Sequence, residues 1–143
     1  MHPDEDKKIR DMIKRHEGYR AFLYFDTEGV LTGGYGHAFQ EGGILRRDIA
    51  DLLFGMDYNQ AVTDFLTLDI PQLDPVRQAV LINMLYNLGR ARFMQFRRML
   101  AAIRTGDYAA AADEMIDSRW YHQVGSRARE LEGMMRSGCW PDE

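Results

Sequence analysis

Cysteine is almost absent from this sequence, since Cys139 is the only one in 143 residues. A single cysteine cannot form an internal disulfide, so we expect a reducing compartment and a fold held by its core. No apolar run approaches the roughly 20 residues that span a bilayer. The charged N-terminal segment also lacks the apolar region and cleavage site of a secretory signal. The sequence therefore predicts a protein that is made and kept in the cytoplasm unless something else releases it, with no stable membrane insertion.

Motifs for metals and cofactors are missing as well. The four histidines have no paired ligand spacing for zinc: His2, His16, His37 and His122. The segment GGYG lacks the spacing of a dinucleotide-binding loop. A calcium loop opening at Asp26 would need glutamate at its twelfth position, which is His37. No nucleophilic serine elbow is present. We therefore expect neither metal chemistry nor acyl-transfer chemistry.

Charge is distributed unevenly along the chain. Residues 1–70 carry 8 basic and 13 acidic side chains, whereas residues 71–143 carry 10 arginines and 9 acidic side chains. Five arginines fall within fifteen positions: Arg90, Arg92, Arg97, Arg98 and Arg104. Such a patch attracts polyanions, so nucleic acid, lipid headgroups and anionic cell-wall polymers are all conceivable partners, beside a simply solvated helix face. We expect no nucleic acid, because the first half is acidic and no helix has the basic face of a recognition helix.

The N-terminal third combines helical and strand patterns. Apolar residues recur at helical spacing from about residue 4 to Glu17, and Gly18 is well placed to end that helix. Residues 19–37 are aromatic and glycine-rich, with a DTEG segment that fits a type I turn. They predict a short antiparallel sheet.

Helical periodicity returns at about residue 45 and predicts one helix of roughly 20 residues. Asp74 as N-cap, Pro75 at the first position and Gly89 after the last residue bound the next helix, which is apolar almost all round and therefore central and buried. Three further helices are predicted over about 93–104, 107–117 and 126–137, the last with Ser126 as N-cap and Gly138 as its end. The expected fold class is α+β, mainly helical, in one domain.

Two carboxylates stand out in the N-terminal third. Glu17 lies at a helix C-terminus on the border of the apolar stripe, and both the dipole and partial burial disfavour its charged form. Asp26 opens a turn, where backbone N–H groups stabilise a carboxylate. Such a contrasting pair suits glycosidic bond cleavage, with one acid and one base. The alternative is ordinary helix and turn capping. Thr32 adds a hydroxyl able to orient a water. The glycines at positions 33, 34 and 36 leave room where a bulky substrate could approach the backbone, although a tight hairpin or a bulge would also explain them.

The segment HEGYRAFLYFDTEGVLTGGYGH resembles the catalytic segment of T4-type phage lysozymes, glycoside hydrolase family 24. That family has Glu-Gly at the end of its first helix, a D-x-x-G turn and a T-x-G-x-G-H hairpin. DPVRQAVLINMLYNLG resembles its central helix, and SRWYHQVGSRARELEGMMRSGCW its C-terminal segment. The resemblance implies one lysozyme-like domain over 1–143: an N-terminal helix and β lobe (about 4–44), a connecting helix (about 45–66) and a helical lobe (about 71–140).

The resemblance also implies the site. Glu17 matches the general acid, Asp26 the carboxylate that positions or activates the attacking water, and Thr32 the threonine beside that water. Four further residues match substrate-binding or supporting positions: Gly36, His37, Asn87 and Arg127. Gly33 departs from the family, which usually has isoleucine there, and we expect a looser hairpin floor. The extra helix of the longest members is missing.

The implied activity is inverting hydrolysis of the β-1,4 bond between N-acetylmuramic acid and N-acetylglucosamine in bacterial peptidoglycan, without a cofactor. The resemblance implies a monomeric phage or prophage enzyme made in the host cytoplasm, which reaches the periplasmic cell wall with the help of a holin. It would act in lysis or in wall penetration. The competing hypothesis is a lysozyme-fold module that binds glycan or serves as a scaffold with weak catalysis.

Overall fold

The chain begins with a helix whose two ends are marked by its own sequence. The computed structural model describes residues 2–142. Helix α1 (Pro3–Glu17) starts after His2, whose side chain accepts a hydrogen bond from the Asp4 N–H, and it ends at Gly18 with φ 70°. Its first turn is acidic, as the helix dipole favours. The predicted helix ending at Gly18 is confirmed.

Three short strands follow and form one antiparallel sheet in the order β1, β2, β3. They are β1 (Arg20–Phe25), β2 (Leu31–Gly34) and β3 (His37–Phe39). Thr32 in β2 lies opposite Tyr24 on one side and Ala38 on the other, with an irregularity in β1 between Arg20 and Tyr24. The predicted sheet is confirmed, and its third strand runs two residues past the predicted end at residue 37.

The long helix and the central helix form at the predicted positions. Helix α2 (Arg47–Leu66) has 20 residues, and α3 (Pro75–Leu88) follows Asp74, whose carboxylate accepts the Arg77 N–H. Gly89, with φ 76°, ends α3. Asp74 and Gly89 both act on backbone groups of neighbouring residues, which is why the sequence alone predicts the ends of this helix correctly.

The remaining helices differ from the prediction in three ways. They are α4 (Arg90–Phe93), α5 (Arg97–Arg104), α6 (Tyr108–Ile116), α7 (Arg119–Val124) and α8 (Ser126–Ser137). A single helix over 93–104 is wrong, because the chain breaks at Phe96 (φ −76°, ψ 54°), whose ring packs edge-on against Trp120. Helix α7 was not predicted, although Ser118 caps it. Ser126 is the first residue of α8 and not its N-cap, which is Gly125.

The core of the helical part is built around α3, which packs on α2 and α8, while α6 packs on α5 and α8. Val80, Leu81 and Met84 of α3 are completely buried. Each such side chain contributes about 1.5–3 kcal/mol through its removal from water. The prediction of a buried central helix is confirmed.

The described residues divide into two compact units, one up to Arg46 and one from Arg47 onward. The first contains α1 and the sheet, and the second contains α2 to α8. Eight helices against three short strands in residues 2–142 confirm the mainly helical α+β class. No helix in that range has the length and apolarity to cross a membrane. The single-domain organisation over residues 1–143 stays a prediction.

Candidate active site

Asp26 is fixed by the turn that it opens. Its Oδ1 accepts the backbone N–H of Glu28 at 2.9 Å and of Val30 at 2.8 Å. The Gly29 N–H closes the turn on the Asp26 carbonyl at 3.0 Å, and Gly29 has φ 75°, which favours glycine. This is the local Asx-turn chemistry that the D-x-x-G pattern predicts. The carboxylate is therefore held in one orientation by backbone groups.

Val30 links Asp26 to Thr32. Its N–H donates to the Asp26 carboxylate, and its carbonyl accepts both the Asp26 N–H at 2.9 Å and the Thr32 hydroxyl at 2.8 Å. Thr32 is 5% exposed and sits in the middle strand of the sheet. Because its proton is given to Val30, the lone pairs of the hydroxyl oxygen are left to accept a hydrogen bond, for instance from a water. Val30 thus holds both the Asp26 carboxylate and the Thr32 hydroxyl in place.

Glu17 lies against the turn between β2 and β3. A Cβ placed on Gly36 would be 2.9 Å from Glu17 Cδ and would collide with Glu17 Oε2. The carboxyl group therefore rests directly on the backbone of Gly36, which also has φ 71°. Glycine meets both conditions without a shift of the Glu17 carboxyl group, and the supporting role of Gly36 stays a prediction.

The depth predicted for Glu17 is wrong. The helical wheel placed it half inward, but Glu17 is exposed, and α1 has no buried residue within the described part of the chain. A wheel gives the direction of a side chain and not the depth of its surroundings, which depends on tertiary packing. Glu17 is the last residue of α1, so its carboxyl group stands at the exposed C-terminal end of that helix.

Aromatic contacts hold the same turn to α1. The Lys14 ammonium lies 5.2 Å from the centre of the Tyr35 ring, and Tyr35 packs on Tyr19 at 5.6 Å between ring centres. A cation over an exposed ring contributes about 0.5–1 kcal/mol. Tyr35, the residue before Gly36, therefore has a contact on each side of its ring. Contacts of Lys14, Tyr19 and Tyr35 were not predicted from the sequence, where the only signal was the richness of the segment in aromatic residues.

His37 and Gly33 face each other across β2 and β3. The His37 ring is exposed and packs edge-on to Phe39 at 4.8 Å, which fits a structural place at the start of β3. Gly33 is buried, and a Cβ there would lie 2.6 Å from Leu23 Cδ2. The Leu23 side chain thus fills the place of a side chain at position 33, so the looser floor expected from this glycine does not take the form of an empty gap.

Asn87 and Arg127 lie in the second unit, each held by a partner that the sequence analysis missed. Arg127 is half-buried in the first turn of α8 and donates from Nε and Nη2 to Asn83 Oδ1 at 2.8 and 2.6 Å. Asn87 Oδ1 accepts the Trp120 indole N–H at 2.8 Å. Asn83 and Asn87 are one turn apart on α3. A polar residue inside the apolar sequence of α3 was the available signal for Asn83.

The seven predicted site residues are thus distributed over both units. The first unit carries Glu17, Asp26, Thr32, Gly36 and His37. Their catalytic and supporting roles stay predictions, while their positions are defined. Within residues 2–142, no three His, Cys, Asp or Glu side chains are grouped so that they could hold a metal ion.

Comparison with known proteins identifies the family of this chain. The sequence model of the phage lysozyme family matches residues 14–137. "Probable T4-type lysozyme 1" of Dictyostelium discoideum is 26% identical, over 91% of this chain and 94% of that protein. The "Pre-baseplate central spike protein Gp5" of Enterobacteria phage T4 is 29% identical, over 91% of this chain but only 28% of its own length. The chain belongs to the phage lysozyme family of lysozyme-like glycan hydrolases.

Proposed function

We propose that this protein is a muramidase that hydrolyses the β-1,4 bond between N-acetylmuramic acid and N-acetylglucosamine in bacterial peptidoglycan. The observation that carries the proposal is the hydrogen-bonded connection from Asp26 through Val30 to Thr32, because it fixes a carboxylate and a hydroxyl acceptor together. Glu17 supplies the second carboxyl group and lies on Gly36 of the same unit. Family membership gives the reaction class.

The proposed reaction is a single displacement with inversion. Glu17 donates its proton to the glycosidic oxygen as the bond to the anomeric carbon breaks. A water attacks that carbon from the opposite face and gives a proton to Asp26. Thr32 accepts a hydrogen bond from the same water, since its own proton is donated to the Val30 carbonyl. The water hydroxyl ends on the anomeric carbon, and the next cycle requires the proton to return from Asp26 to Glu17 through solvent.

The biological setting belongs to the same proposal. The substrate is the bacterial cell wall, and the enzyme acts as a monomer, without nucleic acid as a partner. It would accumulate in the cytoplasm of a bacterial host and reach the periplasmic wall after a holin opens the inner membrane, serving lysis or wall penetration. The relatives support a lysozyme, and the setting rests on the family resemblance.

The second candidate is a glycan-binding or scaffolding module with weak catalysis. One observation favours it: a relative of this chain is a spike protein, and the matched region makes up 28% of that protein. Under this hypothesis the protein would bind peptidoglycan but would not release new reducing ends.

Hydrolysis of purified peptidoglycan by wild type and Glu17→Gln decides between the two. We expect wild type to clear the suspension and to generate reducing ends at muramic acid, identified by mass spectrometry. Glu17→Gln should be slower by about 100- to 10,000-fold, the usual contribution of a general acid. Glu28→Gln is the matched control, because Glu28 is an exposed acid in the Asp26 turn whose backbone, and not its side chain, bonds to Asp26. Wild-type turnover by Glu17→Gln would show that the general-acid assignment is wrong, and binding without cleavage by folded wild type would favour the second candidate.

A further inference from the structure

A cavity in the helical unit is lined by several arginines. It has a volume of about 620 Å³ and lies among residues of the α3 to α5 region and of α6 and α7. Four of its lining residues share the same side chain: Arg92, Arg97, Arg98 and Arg119. Three of these belong to the basic patch of the sequence, so the fold directs part of that patch to one place.

The side chains of these four arginines have no partner, in contrast to those of Arg90, Arg104 and Arg127 in the same unit. Arg90 donates to Thr67 Oγ1 at 2.6 Å, Arg104 to the Asp69 carbonyl at 2.9 Å, and Arg127 to Asn83. Within residues 2–142, none of the four cavity arginines forms a hydrogen bond or an ion pair through its guanidinium group.

Two acidic residues also line the cavity, Glu114 and Asp117. Neither forms an ion pair with the cavity arginines in the described part of the chain. The guanidinium groups outnumber these carboxylates, so the cavity keeps an excess of positive charge. Clustered like charges repel one another and lower the stability of the compact state, and a bound anion removes that repulsion.

We propose that this cavity binds a ligand that carries phosphate groups, either as a soluble phosphate compound or as a lipid headgroup. The planar guanidinium fork matches phosphate oxygens in bidentate geometry, and several forks around one cavity suit a ligand with two or more negative charges close together. Phe96 and Trp120 add apolar surface to the lining, which accommodates an organic part of the ligand. The inference does not depend on the hydrolytic activity.

Trp120 provides the readout for a first experiment. It lines the cavity, is 6% exposed, and shares the chain with one other tryptophan, Trp140. In a Trp140→Phe background, we expect pyrophosphate to change the Trp120 fluorescence in a saturable way, and isothermal titration calorimetry to give the same dissociation constant. Citrate, an anion of comparable charge without phosphate, should bind at least tenfold more weakly.

Two matched double variants test the arginines. Arg97→Gln with Arg98→Gln removes two cavity arginines, whereas Arg47→Gln with Arg129→Gln removes two exposed arginines outside the cavity lining. We expect the first pair to weaken pyrophosphate binding at least tenfold and the second to change it less than twofold. Equal weakening by both pairs would overturn the proposal, because it would show a response to net charge alone. So would the absence of pyrophosphate binding by folded wild type.

Vesicles separate the two sources of phosphate. Sedimentation with phosphatidylglycerol vesicles, but not phosphatidylcholine vesicles, that is lost in the Arg97, Arg98 variant would identify a lipid headgroup as the ligand. Pyrophosphate binding without sedimentation would identify a soluble phosphate compound. A glutamate-rich peptide that binds more tightly than pyrophosphate would overturn the proposal in favour of carboxylate recognition.

Discussion

Gly36→Ala tests whether the glycine in the β2–β3 turn makes room for Glu17. Two separate effects act at this position. The backbone has φ 71°, where an alanine costs about 1–2 kcal/mol relative to the right-handed region. In addition, the new Cβ would collide with Glu17 Oε2 and lie 2.9 Å from Cδ. Because these atoms end a flexible and exposed side chain, they can move aside at little cost in stability, but the carboxyl group leaves its place.

Gly34→Ala separates these effects. Gly34 has φ 60°, and a Cβ there would meet nothing within 4 Å. Both variants should therefore lose about 1–2 kcal/mol in urea unfolding. Only Gly36→Ala should lose hydrolysis, by about 100-fold, which is the order expected when a catalytic group is displaced by about 1 Å.

The assay is the initial rate of peptidoglycan clearing, measured at a temperature where unfolding curves show all three proteins folded. Equal rates for the two variants would refute the reasoning. Equal loss would assign the effect to backbone strain, and full activity in both would show that the position of Glu17 against Gly36 is irrelevant to turnover.

Two further predictions concern the helical unit. Asn83→Ala should lower the free energy of unfolding by about 1.5–3 kcal/mol, because it leaves the half-buried Arg127 guanidinium without its acceptor, while Asn83→Asp, which keeps an oxygen there, should lose less in the same urea titration. For Asp74, burial pushes the pKa up, but the Arg77 backbone N–H and guanidinium outweigh it and hold the pKa of Asp74 below its usual 3.8. A lowered pKa in the folded state stabilises the protein above the unfolded value. Asp74→Asn, which keeps a capping side chain, should thus be less stable than wild type at pH 7, and the difference should shrink as the pH falls below 3.8. A constant difference across that range would rule out the ionised carboxylate as its cause.

Much of the fold was predictable because its signals are local. Gly18, Asp74, Gly89 and Gly138 end or begin helices through contacts with residues a few positions away. The break at Phe96 was not predictable in this way, because that segment carries helical periodicity and the ring of Phe96 packs against Trp120, 24 positions along the chain. Helix α7 was missed despite its capping serine, since six residues are too few for a periodic pattern.

The candidate site likewise has a part that local sequence predicts and a part that depends on tertiary structure. The sequence by itself determined the Asp26 turn and the identity of the carboxylates, because a turn is closed by hydrogen bonds between residues two to four positions apart. Tertiary structure alone decided that Glu17 is exposed and lies on Gly36, and that Asn83 holds Arg127 across 44 positions. It also decided which arginines are paired and which line one cavity. The reason is physical: burial and side-chain pairing depend on which distant elements meet, and neither composition nor periodicity specifies that meeting.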